Sequence, residues 1–313
     1  MVKSLRKKPT RKRKIKITRK NKLRKKGTFK KLKCSPNQKN IISDELKDTT
    51  CYSNEQLQLF KNIWNENNKN NLINTNNPLE IWSFLKHNLN NKCSNELCWL
   101  NDVLFNSKIN KDVIKKEIFK PFSPKSWKKK PNAWLSSIDI VKVMRQYEKR
   151  HKNFVFIGPS PIDFDNKKLF STCVWEKLCK FNLSNYLNSK PRKNKIGIIF
   201  NLDPHDKPGS HWVALFIDVK KNFIFYFDSN GDGVPNEVQK LVVRIQDQAL
   251  KLNINLDFDT NEGFIHQKKD GQCGIYTLYF IIELLKETKT YMYFKKHKIP
   301  DKIMRQHRNK YYN

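Results

Sequence analysis

Two rhythms of apolar and polar positions divide this chain. In 55–66 (EQLQLFKNIWNE), 78–89 (around LEIWSFLKHNL) and 96–106 (around ELCWLNDVLF), apolar residues recur at helical spacing. Polar joints separate these segments, among them the Asn-rich stretch 65–77. Together they predict a small helical accessory domain over 51–119. From about residue 120 the rhythm changes. The stretch 131–151 (PNAWLSSIDIVKVMRQYEKRH) predicts a helix with Ser136 or Ser137 near its start. NFVFIG (153–158) predicts a short strand ended by GPSP. KIGIIFNL (195–202), HWVALFIDV (211–219) and NFIFYFD (222–228) are runs of β-branched and aromatic residues that predict strands, the last two joined as a hairpin through Lys220 and Lys221. A helix is expected over 236–252, with Val238, Leu241, Val242, Ile245, Ala249 and Leu252 on one face, and a further strand over 254–258. The segment 273–287 (CGIYTLYFIIELLKE) is apolar on nearly every side, which predicts a buried central helix. The expected class is α+β: a mainly antiparallel sheet packed on that helix, plus the N-terminal helical unit. No internal repeat is visible.

Composition sharpens the picture at the N-terminus. The chain has 313 residues, enough for one sizeable core or a core with an accessory domain. Its formal net charge is +34, and residues 1–33 alone hold 18 Lys or Arg and no acid. Such a segment has too few apolar positions to offset chain entropy, so residues 1–50 are expected to form a basic, disordered tail. Its field favours polyanions, with nucleic acid first. A DNA-binding arm, a nuclear import signal and a solvated tail all fit. No run is long enough to span a membrane, and the start has no apolar signal-peptide core. Seven cysteines, an odd number in a long chain with no signal sequence, suggest reduced thiols. The close pairs Cys93/Cys98 and Cys173/Cys179 lack zinc-site spacing with flanking His, so no metal is expected.

Cys273 lies between a polar, glycine-containing turn and the apolar helix. The positive end of a helix stabilises a thiolate, and Gly271 and Gly274 leave the backbone uncrowded. A nucleophilic Cys needs a base, an orienting group and oxyanion donors. His211 opens one strand and Asp228 closes its hairpin partner, so the two meet at one end of adjacent strands, where a carboxylate can fix the imidazole. Gln267 could join the Cys273 backbone N–H in an oxyanion hole. A rival reading takes DSNGDG (228–233) as a calcium loop. It fails on Gln239 at the position that needs a bidentate carboxylate, on Pro235, and on the strand that precedes it.

The order H-W…D…Q-x5-C-G resembles the ubiquitin-like-protein (SUMO) proteases and adenain, the adenovirus protease. The resemblance covers roughly 195–287. It implies that His211 is the base, Asp228 its orienting acid, Gln267 an oxyanion donor and Cys273 the nucleophile. It also implies that Trp212 covers a narrow glycine channel, with Trp134 and Gly271 as further substrate contacts. Gln272 departs from the Asp usual before the Cys of the cellular enzymes. AWLSSIDIVKVMRQYEK, FIGPSPIDF, GIIFNLDPHDKPGSHW and IPDKIMRQHRNKYYN are similar to the polyprotein-processing protease of African swine fever virus and its giant-virus relatives. That likeness implies a core over 120–313 and an endopeptidase that cleaves structural precursors after Gly-Gly-type sequences. Such an enzyme would be packaged in the virion and found in the host cytoplasm during assembly. It would need no cofactor, with DNA a candidate activator through residues 1–33. A protease acting on host SUMO or ubiquitin conjugates is the alternative, and a DNA-associated structural protein with an inactive fold is a third.

Overall fold

The computed structural model describes residues 29–38, 41–101, 110–167, 172–269 and 271–313. Most of the basic segment 1–33 therefore lies outside the described residues.

The centre is a five-stranded sheet in sequence order: β1 (Phe154–Pro161), β2 (Lys195–Asn201), β3 (Trp212–Asp218), β4 (Phe223–Phe227) and β5 (Asp257–Thr260). The expected predominance of antiparallel pairing needs correction. β2–β3 and β3–β4 are antiparallel, but β1–β2 and β4–β5 are parallel. The reason lies in the connections. The four-residue turn 219–222 and the loop 202–211 return the chain antiparallel, whereas the long crossovers 162–194 and 228–256 let it re-enter in the same direction. The strand expected to stop at GPSP continues to Pro161, with a register irregularity between Ile157 and Ser160. The strand expected over 254–258 begins only at Asp257. The main chain before it is tied to the preceding helix, through Ile254 N–H on Ala249 O and Gln246 on Leu256 O.

Side chains alternate across the pleat, as strand geometry requires. Trp212, Ala214 and Phe216 of β3 join one core, and Val213, Leu215 and Ile217 join the other. A strand covered on both faces reads as a continuous apolar run, which is why HWVALFIDV shows no polar alternation. Helix Asn236–Leu250 covers the second face through Val238, Leu241, Val242, Ile245 and Ala249. Leu252 lies beyond its end and stays exposed. The first face carries helix Cys273–Leu285, buried at every position. It also carries helix Ser137–Arg150, where Ser136 is the N-cap in a capping box with Asp139.

Helices Asn54–Asn67, Pro78–Leu89, Glu96–Asn101 and Lys111–Ile118 form a separate cluster around Tyr52, Phe60 and Trp99. Residues 29–50 differ from the expected tail. Leu32, Cys34, Ile42 and Leu46 are buried in this cluster, and Cys34 pairs with Phe119 in an isolated bridge. The apolar positions between the lysines supply the burial that composition averaged over 1–50 concealed. The reduced-thiol expectation is also corrected. Cys34–Cys51, Cys93–Cys98 and Cys173–Cys179 are disulfides, leaving Cys273 as the free cysteine. The final segment joins the two parts: the Asn313 side chain accepts from Lys33 N–H at 2.7 Å and donates to Lys120 O at 2.9 Å.

Candidate active site

The hairpin that brings His211 to Asp228 closes at Asp218 and Phe223. Asp218 Oδ1 accepts the N–H groups of Lys220 and Lys221, each at 3.1 Å, and Asn222 takes a positive φ of 59°. At the open end, Ala214 faces Phe227. One further step puts Asp228 opposite Val213, on the same face as His211 two residues away. The result is a contact of 2.6 Å between His211 Nε2 and Asp228 Oδ1.

Each partner is held from behind. Asp228 is fully buried, and its Oδ1 also accepts the Asn230 N–H at 2.8 Å. Asn261 grips its main chain, accepting from Asp228 N at 2.9 Å and donating to Asp228 O at 2.6 Å. The loop leading into His211 is laced internally. Asp203 accepts from Gly209 N–H (3.1 Å) and Ser210 Oγ (2.7 Å), and Asn201 Oδ1 accepts from the N–H groups of Asp203 and Ser210. Gly209 is required there: φ is +100°, and a Cβ would stand 2.2 Å from Asn201 Nδ2.

Cys273 opens the central helix and is buried. Cys273 as well as Asp228 raises the proton affinity of the His211 ring. With Nε2 on the carboxylate, Nδ1 is the ring nitrogen left to serve Cys273. Burial works against the imidazolium, but the hydrogen bonds to Asp228 and Cys273 and the charges of both outweigh it, raising the His211 pKa to about 10. The ring is therefore held as a cation at neutral pH.

Gln267 approaches from the segment before the helix. Its N–H donates to Ser229 O at 2.8 Å, and its Oε1 accepts from Ser229 Oγ at 3.1 Å. Ser229, next to Asp228, thus fixes which end of the Gln267 amide is anchored and leaves Nε2 to act as a donor. The sequence reading missed Ser229, and no local signal marks it. It also missed Arg308, which is buried on the last helix (Asp301–Tyr311). Arg308 donates to Ala133 O (2.7 Å) and Gly271 O (2.9 Å) and lies over the Trp127 ring at 4.4 Å. Gly271 sits at φ +89°, where a Cβ would meet Asn132 O at 2.3 Å. It shapes the approach to Cys273 and is not part of the cavity wall described next.

Trp212 and Trp134 do share a cavity of about 740 Å³, bounded further by Trp175, Pro159 and His205. Trp212 is buried and donates from Nε1 to Leu135 O at 3.0 Å, while Trp134 is half-exposed. His205 is fixed on this wall by Asp163, Nδ1 to Oδ2 at 2.6 Å. Asp228 is committed to His211 rather than to a cation loop. No cluster of three or more metal-ligating side chains occurs among the described residues, and no described helix is long and apolar enough to cross a membrane.

Residues 188–313 match the Ulp1 protease family, C-terminal catalytic domain. A protein of Acanthamoeba polyphaga mimivirus named as a thiol protease is 35% identical over 160 residues, covering 50% of this chain and 49% of its own length. A cysteine protease of African swine fever virus is 27% identical over 176 residues, covering 54% of this chain and 64% of its own. The same protein from a South African isolate is named a SUMO-1 cysteine protease. This chain thus aligns with less than two thirds of the length of either relative. The crystal structure of the African swine fever virus protease shares the fold, with a TM-score of 0.65 at 20% identity over 92% of this chain and 98% of that one.

Proposed function

We propose that the chain is a cysteine endopeptidase that cleaves viral structural precursors after Gly-Gly-type sequences during virion maturation. One observation carries the reading: a His211 ring stands 2.6 Å from a buried carboxylate and gains proton affinity from the free cysteine, which opens a helix. Cys273 Sγ attacks the scissile carbonyl carbon. The oxyanion takes hydrogen bonds from Gln267 Nε2 and the Cys273 backbone N–H. His211, already cationic, gives its proton to the leaving amine as the carbon–nitrogen bond breaks. As a neutral base it then takes a proton from water, whose oxygen attacks the thioester carbon; the carbon–sulfur bond breaks, Cys273 leaves as the thiolate that began the cycle, and His211 is again the cation. Asp228 holds the ring throughout. Trp212 and Trp134 leave room for glycine beside the scissile bond. The chemistry needs no cofactor.

The viral sources of both relatives favour precursor processing, in the virion and at its site of assembly in the host cytoplasm. The basic residues 1–33 would hold enzyme and substrate on DNA, whose phosphates are the partner suited to a segment with no acid and few aromatics. Removal of SUMO from host proteins is the second reading, favoured by the name of the isolate protein. The deciding experiment compares cleavage of a Gly-Gly-containing virion precursor with cleavage of a SUMO fusion, for wild type and Cys273→Ala. Faster precursor cleavage, lost in the variant, is the expected result. Faster SUMO release would replace the first reading with the second, and no cleavage of either would remove both.

A further inference from the structure

The residues that follow Gln267 border another cavity, of about 350 Å³. Lys268, Lys269, Lys298, Lys302 and Arg305 line it, and all five are exposed. Among the described residues that line it, the carboxylate is that of Asp301. Its Oδ2 accepts the N–H groups of Lys268 (3.3 Å) and Lys269 (3.1 Å), and its Oδ1 accepts the Tyr276 hydroxyl (2.9 Å). Asp301 therefore fastens the lysine turn to the last helix. None of the five cations forms an ion pair among the described residues, although elsewhere on the chain lysines such as Lys149 and Lys180 do find carboxylates. Among the described lining residues, five cations stand against one carboxylate.

Holding like charges together unpaired costs Coulomb energy that a multivalent anion would relieve. Four compact ammonium groups and one guanidinium are the donor set that takes phosphate oxygens. A single carboxylate would leave most of the field uncompensated. We infer that Lys268, Lys269, Lys298, Lys302 and Arg305 form a binding site for closely spaced phosphate groups, as in an oligophosphate or a nucleic-acid backbone. The site is distinct from the basic segment 1–33. Because Lys268 and Lys269 directly follow Gln267, an occupant braces the main chain that carries the oxyanion donor. The inference does not rest on the protease reading, since binding is measured directly.

The test is titration calorimetry of the full chain with inorganic triphosphate and, separately, with a short duplex DNA. Two triple variants remove equal charge: Lys298→Ala/Lys302→Ala/Arg305→Ala in the site, and Lys128→Ala/Lys129→Ala/Lys130→Ala on an exposed turn elsewhere. Site substitutions are expected to weaken binding at least tenfold, and the control to change it less than twofold. The single variant Lys298→Glu guards against misfolding of the triple. Amide exchange at Lys268 and Lys269 should slow in wild type when the site fills. A tenfold loss with triphosphate identifies a free oligophosphate as sufficient, and a loss seen with DNA alone identifies nucleic-acid phosphates. Equal weakening by both triples, or saturable binding by neither ligand, overturns the inference, because the charge would then act only as a diffuse field.

Discussion

Asp228→Asn isolates what the carboxylate does for His211. The substitution preserves shape, and Asn230 N–H keeps an acceptor. What is lost is the charge behind a 2.6 Å hydrogen bond to the ring. A hydrogen bond to a charged group contributes about 1.5–3 kcal/mol. At 1.36 kcal/mol per pH unit, that is roughly one to two pH units of His211 basicity. The alkaline limb of kcat/KM reports the free enzyme's proton-donating group. In wild type it should fall near pH 10, where His211 loses its proton. In Asp228→Asn it should fall about one to two pH units lower. The assay is a pH series with a fluorogenic Gly-Gly peptide. Stability supplies an independent check. The folded value, about 10, lies above the ordinary 6.5. The stabilisation is therefore present in full below pH 6.5 and is lost as pH rises through about 10. The melting-temperature gap between wild type and variant should accordingly be wide at pH 6 and narrow above pH 10. An alkaline limb at the same pH in both proteins would refute the account.

Cys273→Ala should abolish hydrolysis with no fall in melting temperature beyond that of a small core substitution. Alkylation in denaturant without reductant should mark Cys273 alone, and with reductant all seven cysteines, as mass spectrometry of digests would read out. Gln267→Ala should lower kcat about 10²–10³-fold with little change in KM. Ser229→Ala should give a smaller loss in the same parameter, because it frees the Gln267 amide without removing it. Gly209→Ala should cost about 1–3 kcal/mol in denaturant titration, from a positive φ and a Cβ set against Asn201. It should also reduce kcat/KM, because the laced loop delivers His211.

What the sequence disclosed follows from how far apart in the chain the interacting groups lie. His211 and Asp228 were readable because one hairpin and a period of two fix their meeting. Cys273 was readable because a helix start is a local event. Parallel β5 was not, since INLDF has the same apolar content whichever way it runs, and its start is set by a hydrogen bond from Gln246 to Leu256 O and one from Ile254 N–H to Ala249 O. Ser229 and Gln267 meet across 38 positions with no periodicity to announce the contact. The disulfides were misread because compartment was inferred from an odd cysteine count, and three pairs plus one nucleophile also make an odd number.

Charge was the most visible feature and the least informative about position. Among 63 basic residues, composition cannot separate Arg308 from Lys298 or Lys302, although all three lie within eleven residues near the C-terminal end. The fold separates them by burial. Arg308 loses water and is compensated by two backbone carbonyls and the face of Trp127, so that it ties the last helix to the residue two before the nucleophile. Lys298 and Lys302 keep water and have no carboxylate partner among the described residues, so their charge remains available to a ligand. A substitution at Arg308 should therefore displace Gly271 and lower kcat at any ionic strength. Substitutions at Lys298 or Lys302 should act on phosphate binding alone and weaken in effect as salt screens the cavity. Comparing the two classes at low and physiological salt separates a structural cation from a binding one.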